Sequence, residues 1–81
     1  MSQDSPTAPE LVVLEILDAL GGQSSYGVIK GTIRKQLRPY LRGIVNAMLD
    51  QGWLAKSFIG QYAMTEHGRQ ALRRSRTASA A

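Results

Sequence analysis

The stretch Pro39-Tyr-Leu-Arg-Gly-Ile-Val-Asn-Ala-Met-Leu-Asp-Gln-Gly52 decides how this chain is read. Leu41, Ile44, Val45, Met48 and Leu49 recur at the spacing of one buried helix face. Proline suits a helix start and disfavours helical geometry in the residue before it. Glycine suits the position just past a helix end. The pattern predicts a helix over 39–51, with Tyr40, Arg42, Gly43, Asn46, Ala47 and Asp50 on its other face.

Working upstream, Tyr26, Ile29, Ile33 and Leu37 form one apolar stripe. They predict a second helix over 26–36, with Ser24 or Ser25 as its N-cap. Lys30 and Arg34 lie four apart on another face, with Lys35 beside them. Gly27 and Gly31 each lower helix propensity by about 1 kcal/mol, so close packing against them is expected. A first helix is predicted over 9–20, opened by Pro9 and Glu10 and closed by Gly21-Gly22. Val13, Leu14, Leu17 and Leu20 face inward. Val12 and Ile16 widen the apolar arc beyond one core contact. Residues 1–8 read as a disordered lead.

Downstream of Gly52 the period changes. Trp53 to Phe58 and Gln61 to Met64 read as two short strands turning at Ile59-Gly60. Thr65 can cap a last helix over 66–74, with Ala71 and Leu72 inward. Residues 75–81 are small and polar and read as a disordered tail. The foldable domain thus spans 9–74. The expected class is mainly α with a small β-hairpin, an α+β fold.

Helix, helix, short turn, helix, hairpin, helix is the order of a helix-turn-helix followed by a wing. Leu11-Val-Val-Leu-Glu-Ile-Leu17 and Tyr26-Gly-Val-Ile-Lys30 resemble the start of PadR-type domains. Leu49-Asp-Gln-Gly-Trp-Leu54 is similar to the exit from their recognition helix. Tyr62-Ala-Met-Thr-Glu-His-Gly-Arg-Gln-Ala-Leu72 is similar to the run that closes the wing in PadR and MarR regulators. The resemblance covers residues 10–73. It implies a winged helix-turn-helix that binds double-stranded DNA, with Lys56, Ser57 and Gln61 of the wing touching the backbone or minor groove. Two departures stand out. The wing tip Ile59-Gly60 has no Lys or Arg, and the long dimerisation helices are missing.

The residues support a DNA reading on their own chemistry. Arg42 can donate twice to guanine, and Asn46 can pair in the same way with adenine. Four apart, they share one helix face. Tyr40 can reach a phosphate or a thymine methyl, and Gly43 leaves room for close approach. Lys30, Arg34, Lys35 and Arg38 are better placed for phosphates, which fix register without reading sequence. Each residue also has an ordinary reading. Arg42 and Asn46 suit a merely solvated face. Tyr26, Trp53 and Phe58 suit packing better than contact. His67 suits an exposed turn. Arg69, Arg73, Arg74 and Arg76 suit either phosphate contact or a free basic tail.

Charge placement agrees with a polyanionic partner. Among 81 residues the net charge is +4. Residues 1–29 hold four acids and no Lys or Arg, whereas residues 30–81 hold all ten Lys and Arg against two acids. There is no cysteine and one histidine, so neither thiolate chemistry nor a histidine-rich metal centre is expected. No glycine-rich phosphate loop or nucleophile–base pair is visible, and neither an enzyme nor a cofactor is expected. The longest apolar run, Leu11–Leu14, falls far short of the roughly 20 residues a bilayer span needs. No export leader is recognised at Met1–Glu10, so cytoplasmic residence is the expectation, on the nucleoid if DNA is bound.

Two functions compete. One is a sequence-specific regulator of transcription, most simply a repressor. The other is a winged-helix protein-interaction module, such as a small inhibitor or an adaptor docking on an acidic protein. A homodimer is compatible with the first, since DNA readers of this size commonly bind paired half-sites. Val12, Ile16, Ala71 and Leu72 are its candidate surface.

Overall fold

The computed structural model describes residues 6–57 and 59–80, with side chains described as far as Arg76. In chain order they form α1 (Ala8–Ala19), β1 (Gln23–Ser25), α2 (Tyr26–Thr32), a 3-10 helix (Lys35–Tyr40), α3 (Leu41–Gln51), β2 (Leu54–Lys56), β3 (Gln61–Met64) and α4 (Glu66–Ala80). The class is α+β: mainly helical, with a three-stranded antiparallel sheet in the order β1-β3-β2.

Capping chemistry sets the helix limits. The Glu10 carboxylate accepts from the Thr7 amide at 2.8 Å and from its hydroxyl at 3.0 Å. Those bonds let Glu10 lie buried at the start of α1. At the other end the Gly22 amide donates to the Leu17 carbonyl at 2.7 Å and the Gly21 amide to Asp18 at 3.3 Å. This is a Schellman closure, with Gly21 at φ +89°. Gly52 repeats it at the end of α3. There Trp53 donates to Met48 at 3.0 Å, Gly52 donates to Leu49 at 3.1 Å, and Gly52 lies at φ +81°. Leu20, expected inside, is 43% exposed because the chain has already left the helix there.

The second helix is shorter than its stripe predicts. It ends at Thr32, whose hydroxyl donates to the Val28 carbonyl at 2.8 Å. Ile33 and Arg34 are extended, with ψ of 156° and 143°. The two interior glycines and the β-branched pair Thr32-Ile33 weaken helix propagation. Extension carries the Ile33 side chain into the core, where it is buried. The 3-10 helix then takes up Pro39 and delivers α3 from Leu41. Lys30 and Arg34 are therefore not a helical i, i+4 pair.

The core joins all layers. Val13, Leu14 and Leu17 of α1 meet Ile29, Ile33 and the α3 residues Leu41, Val45 and Met48. Trp53, Leu54, Tyr62 and Met64 cover it from the sheet side, and Ala71 and Leu72 close it from α4. Ile44, Leu49, Tyr26 and Leu37 pack against its edge.

Four further expectations change. Ala71 and Leu72 are 2% and 3% exposed, so they belong to the core and cannot form a dimer surface. Val12 and Ile16 are only half-buried. Strand β1 is additional, since its polar Gln23-Ser24-Ser25 carries no strand signal; β3 recruits it, pairing Gln23 with Ala63 and Ser25 with Gln61. The last helix continues beyond residue 74 to Ala80, because Ser75–Ala80 contains no glycine or proline to stop it. The expected lead at 1–8 is ordered from Pro6, which is buried. Its first five positions, Phe58 of the hairpin and Ala81 lie outside the described residues.

Candidate nucleic-acid interface

Helix α3 turns Leu41, Val45 and Met48 inward, which leaves Arg42, Gly43, Asn46 and Ala47 on its exposed side. Tyr40, the residue before α3, is 66% exposed. The sequence-predicted base-contacting set therefore lies together on one open surface. A Cβ at Gly43 would meet nothing within 4 Å, so the helix backbone is bare there. Gly27 and Gly31 are equally open, and the close packing expected of them is absent. Among the described residues no contact explains a glycine at these three helical positions.

Arg42 has a definite seat. Its guanidinium carbon lies over the Tyr26 ring, 5.4 Å from the centroid. The Tyr26 and Tyr62 rings stand 6.2 Å apart at 53°. Lys56 Nζ lies over the Tyr62 ring at 5.7 Å. Both cation distances fall within the range of cation–π attraction, and the ring separation suits a tilted aromatic pair. This run of four side chains links α3, the start of α2, β3 and β2. It was not foreseen in the sequence, where Tyr26 reads as core and Lys56 as a wing residue touching the DNA backbone or minor groove. Residues 26, 42, 56 and 62 become neighbours only through the tertiary fold.

The other predicted phosphate contacts divide. Lys30, Arg34 and Lys35 are exposed. Arg38 is half-buried, and its Nε donates to the Lys30 carbonyl at 3.0 Å. That bond satisfies a carbonyl at the end of α2 and joins both sides of the inter-helix turn. Ser57 and Gln61 shape the hairpin. The Gln61 amide donates to Ser57 Oγ at 3.2 Å, and the Ser57 amide donates to the Gln61 carbonyl at 2.8 Å. Gly60 follows at φ +84°.

Electrostatically this face is unneutralised. Among the described residues, Lys30, Arg34, Lys35, Arg38, Arg42 and Lys56 form no salt bridge. A salt bridge joins Arg76 of α4 to Asp18 of α1 at 3.1 Å, so Arg76 is not part of a free tail. Arg69 reaches towards Gly22 at the end of α1. Trp53 is buried, with its ring stacked on His67 at 6.4 Å, so it serves packing.

Beside the polar face runs a shallow, mostly apolar groove between Thr7, Pro9 and Glu10 around the start of α1 and Pro39, Tyr40, Gly43, Ile44 and Ala47 leading into and along α3. Among the described residues no three His, Cys, Asp or Glu side chains gather as a metal site, and no helix is long and apolar enough to cross a membrane. No family model, curated protein or solved structure matches this chain.

Proposed function

We propose that this chain is a winged helix-turn-helix DNA-binding regulator of the MarR/PadR kind, reading double-stranded DNA with α3 in the major groove. The observation that carries this reading is the common exposed face of Arg42 and Asn46, beside a hairpin cation and, among the described residues, without a carboxylate in salt-bridge reach. Arg42 and Asn46 supply donors to base edges, while Lys30, Arg34, Lys35 and Lys56 supply phosphate contacts. The bare backbone at Gly43 permits close approach to the groove. The hairpin β2–β3 is the wing. Repression is its simplest action, since occupying a promoter needs no further surface. On this reading the protein works in the cytoplasm, on the nucleoid. Paired half-sites would need a second copy, and Val12 and Ile16 remain the candidate contact.

Fluorescence anisotropy on duplex selected from a random pool tests the proposal, at two salt concentrations. Arg42→Ala and Asn46→Ala should each cost about 1–3 kcal/mol of discrimination at one base position. Lys30→Ala should weaken all duplexes alike and reduce the salt slope by about 0.9. Absence of salt-dependent binding at micromolar protein would count against it.

The groove at Tyr40, Gly43 and Ala47 favours a second reading, a winged-helix protein-interaction module. A partner retained after nuclease treatment and lost on Tyr40→Glu, with charge reversal at Arg42 harmless, would favour that reading.

A further inference from the structure

We infer that the Tyr26–Tyr62 pair is a platform that orients Arg42 and ties it to Lys56, making Tyr26 a specificity-determining positioning residue of the DNA face. This deepens the DNA-binding reading and rests on it.

The argument begins with what an arginine on an open helix face lacks. Its side chain carries about 2 kcal/mol of rotamer entropy, which ordering on a base would cost. Stacking the planar guanidinium on an aromatic ring restrains it before any ligand arrives. The in-plane N–H groups then remain free at the edges, the geometry that a guanine accepts in bidentate fashion. The Arg42 guanidinium carbon lies 5.4 Å from the Tyr26 centroid, within cation–π reach, and among the described residues no carboxylate forms a salt bridge that competes for its donors.

Tyr26 is itself held. It is the first residue of α2, where Ser25 Oγ accepts from the Val28 amide at 3.4 Å. Its ring leans on Tyr62, which is 7% exposed and fixed in the central strand of the sheet. Tyr62 pairs with Ser24 on one side and with Lys56 on the other. The same ring that supports Tyr26 therefore lies beneath the Lys56 ammonium. One buried side chain sets the separation between a base-reading cation on α3 and a phosphate-seeking cation on the hairpin. Neither cation needs to touch the other for their placement to be linked.

Tyr26→Phe keeps the ring and Tyr26→Leu removes it. The DNA assay compares both with the wild type on the selected duplex and on duplexes changed at each position. Tyr26→Leu should lose about two- to fivefold of the preference for guanine at the Arg42 position. Its salt slope should stay unchanged, and Tyr26→Phe should retain the preference. In an Arg42→Ala background, Tyr26→Leu should have no further effect on that position. A purely structural role would lower affinity for every duplex alike and would persist without Arg42, and either result overturns the proposal.

A second arm needs no DNA. In the free protein the Arg42 side-chain protons should show ring-current shifts by NMR, kept in Tyr26→Phe and lost in Tyr26→Leu. Wild-type protein without those shifts overturns the platform even if DNA binding stands. Shifts present but no duplex bound would sink the DNA reading, and the specificity role with it, while leaving the stacking itself established.

Discussion

The Thr65 hydroxyl donates to the carbonyl of Gly52 at 2.6 Å, across thirteen residues of chain. The same oxygen accepts from the Gly68 amide at 3.0 Å, so one side chain closes α3 and opens α4. The Thr65 amide adds a bond to the Trp53 carbonyl at 3.0 Å. The base of the hairpin is thereby pinned. Thr65→Val preserves shape and removes the hydroxyl. It should cost about 1–2 kcal/mol, read as a lower urea midpoint with unchanged slope.

Gly68 is the counterpart of that cap. A Cβ there would run into the Trp53 carbonyl, and Met64 Cγ would stand at 3.1 Å. Backbone on one side and a core side chain on the other leave little room to give. Gly68→Ala should destabilise by about 1–3 kcal/mol in the same denaturation experiment, despite the better helix propensity of alanine.

Gly43 is expected to behave in the opposite sense. Its helical position is open and a Cβ meets nothing. Gly43→Ala should stabilise the isolated protein by up to about 1 kcal/mol. If α3 docks in the major groove at that point, the same change should weaken duplex binding. Higher thermal stability with unaltered binding would remove Gly43 from the interface.

Leu72 separates core from surface. It is 3% exposed within the single chain. Leu72→Ala should cost about 2–5 kcal/mol and leave the oligomeric state, measured by analytical ultracentrifugation, as in the wild type. By contrast Arg76→Ala removes an exposed ion pair, with side chains 54% and 47% accessible. It should change stability by less than about 1 kcal/mol, and less still in high salt.

Much of the fold was legible in single residues and their spacing. The apolar positions of α3, the glycine stops at 21–22 and 52, Ser25 as a cap and Thr65 as a cap follow from rules that act within four or five residues. Two features escaped, each for its own reason. The stripe Tyr26, Ile29, Ile33, Leu37 points inward as expected, yet only its first half is α-helical. Periodicity reports which side chains are buried, and an extended Ile33 meets that demand as well as a helical one. Strand β1 escaped because its pairing partners lie some forty residues away and its own composition is polar.

For the candidate site the division is sharper. Sequence alone assigns Arg42 and Asn46 to one side of a helix, because a 3.6-residue repeat admits no other arrangement once Leu41, Val45 and Met48 are inward. It also determines the excess of cations after residue 29. Only the tertiary structure decided that Ala71 and Leu72 are enclosed, that Arg38 is bonded to Lys30, and that Tyr26 and Tyr62 seat Arg42 and Lys56. Local rules act through neighbouring backbone bonds. Those relationships are contacts between segments far apart in the chain, and they exist only after the core has brought helix and sheet together.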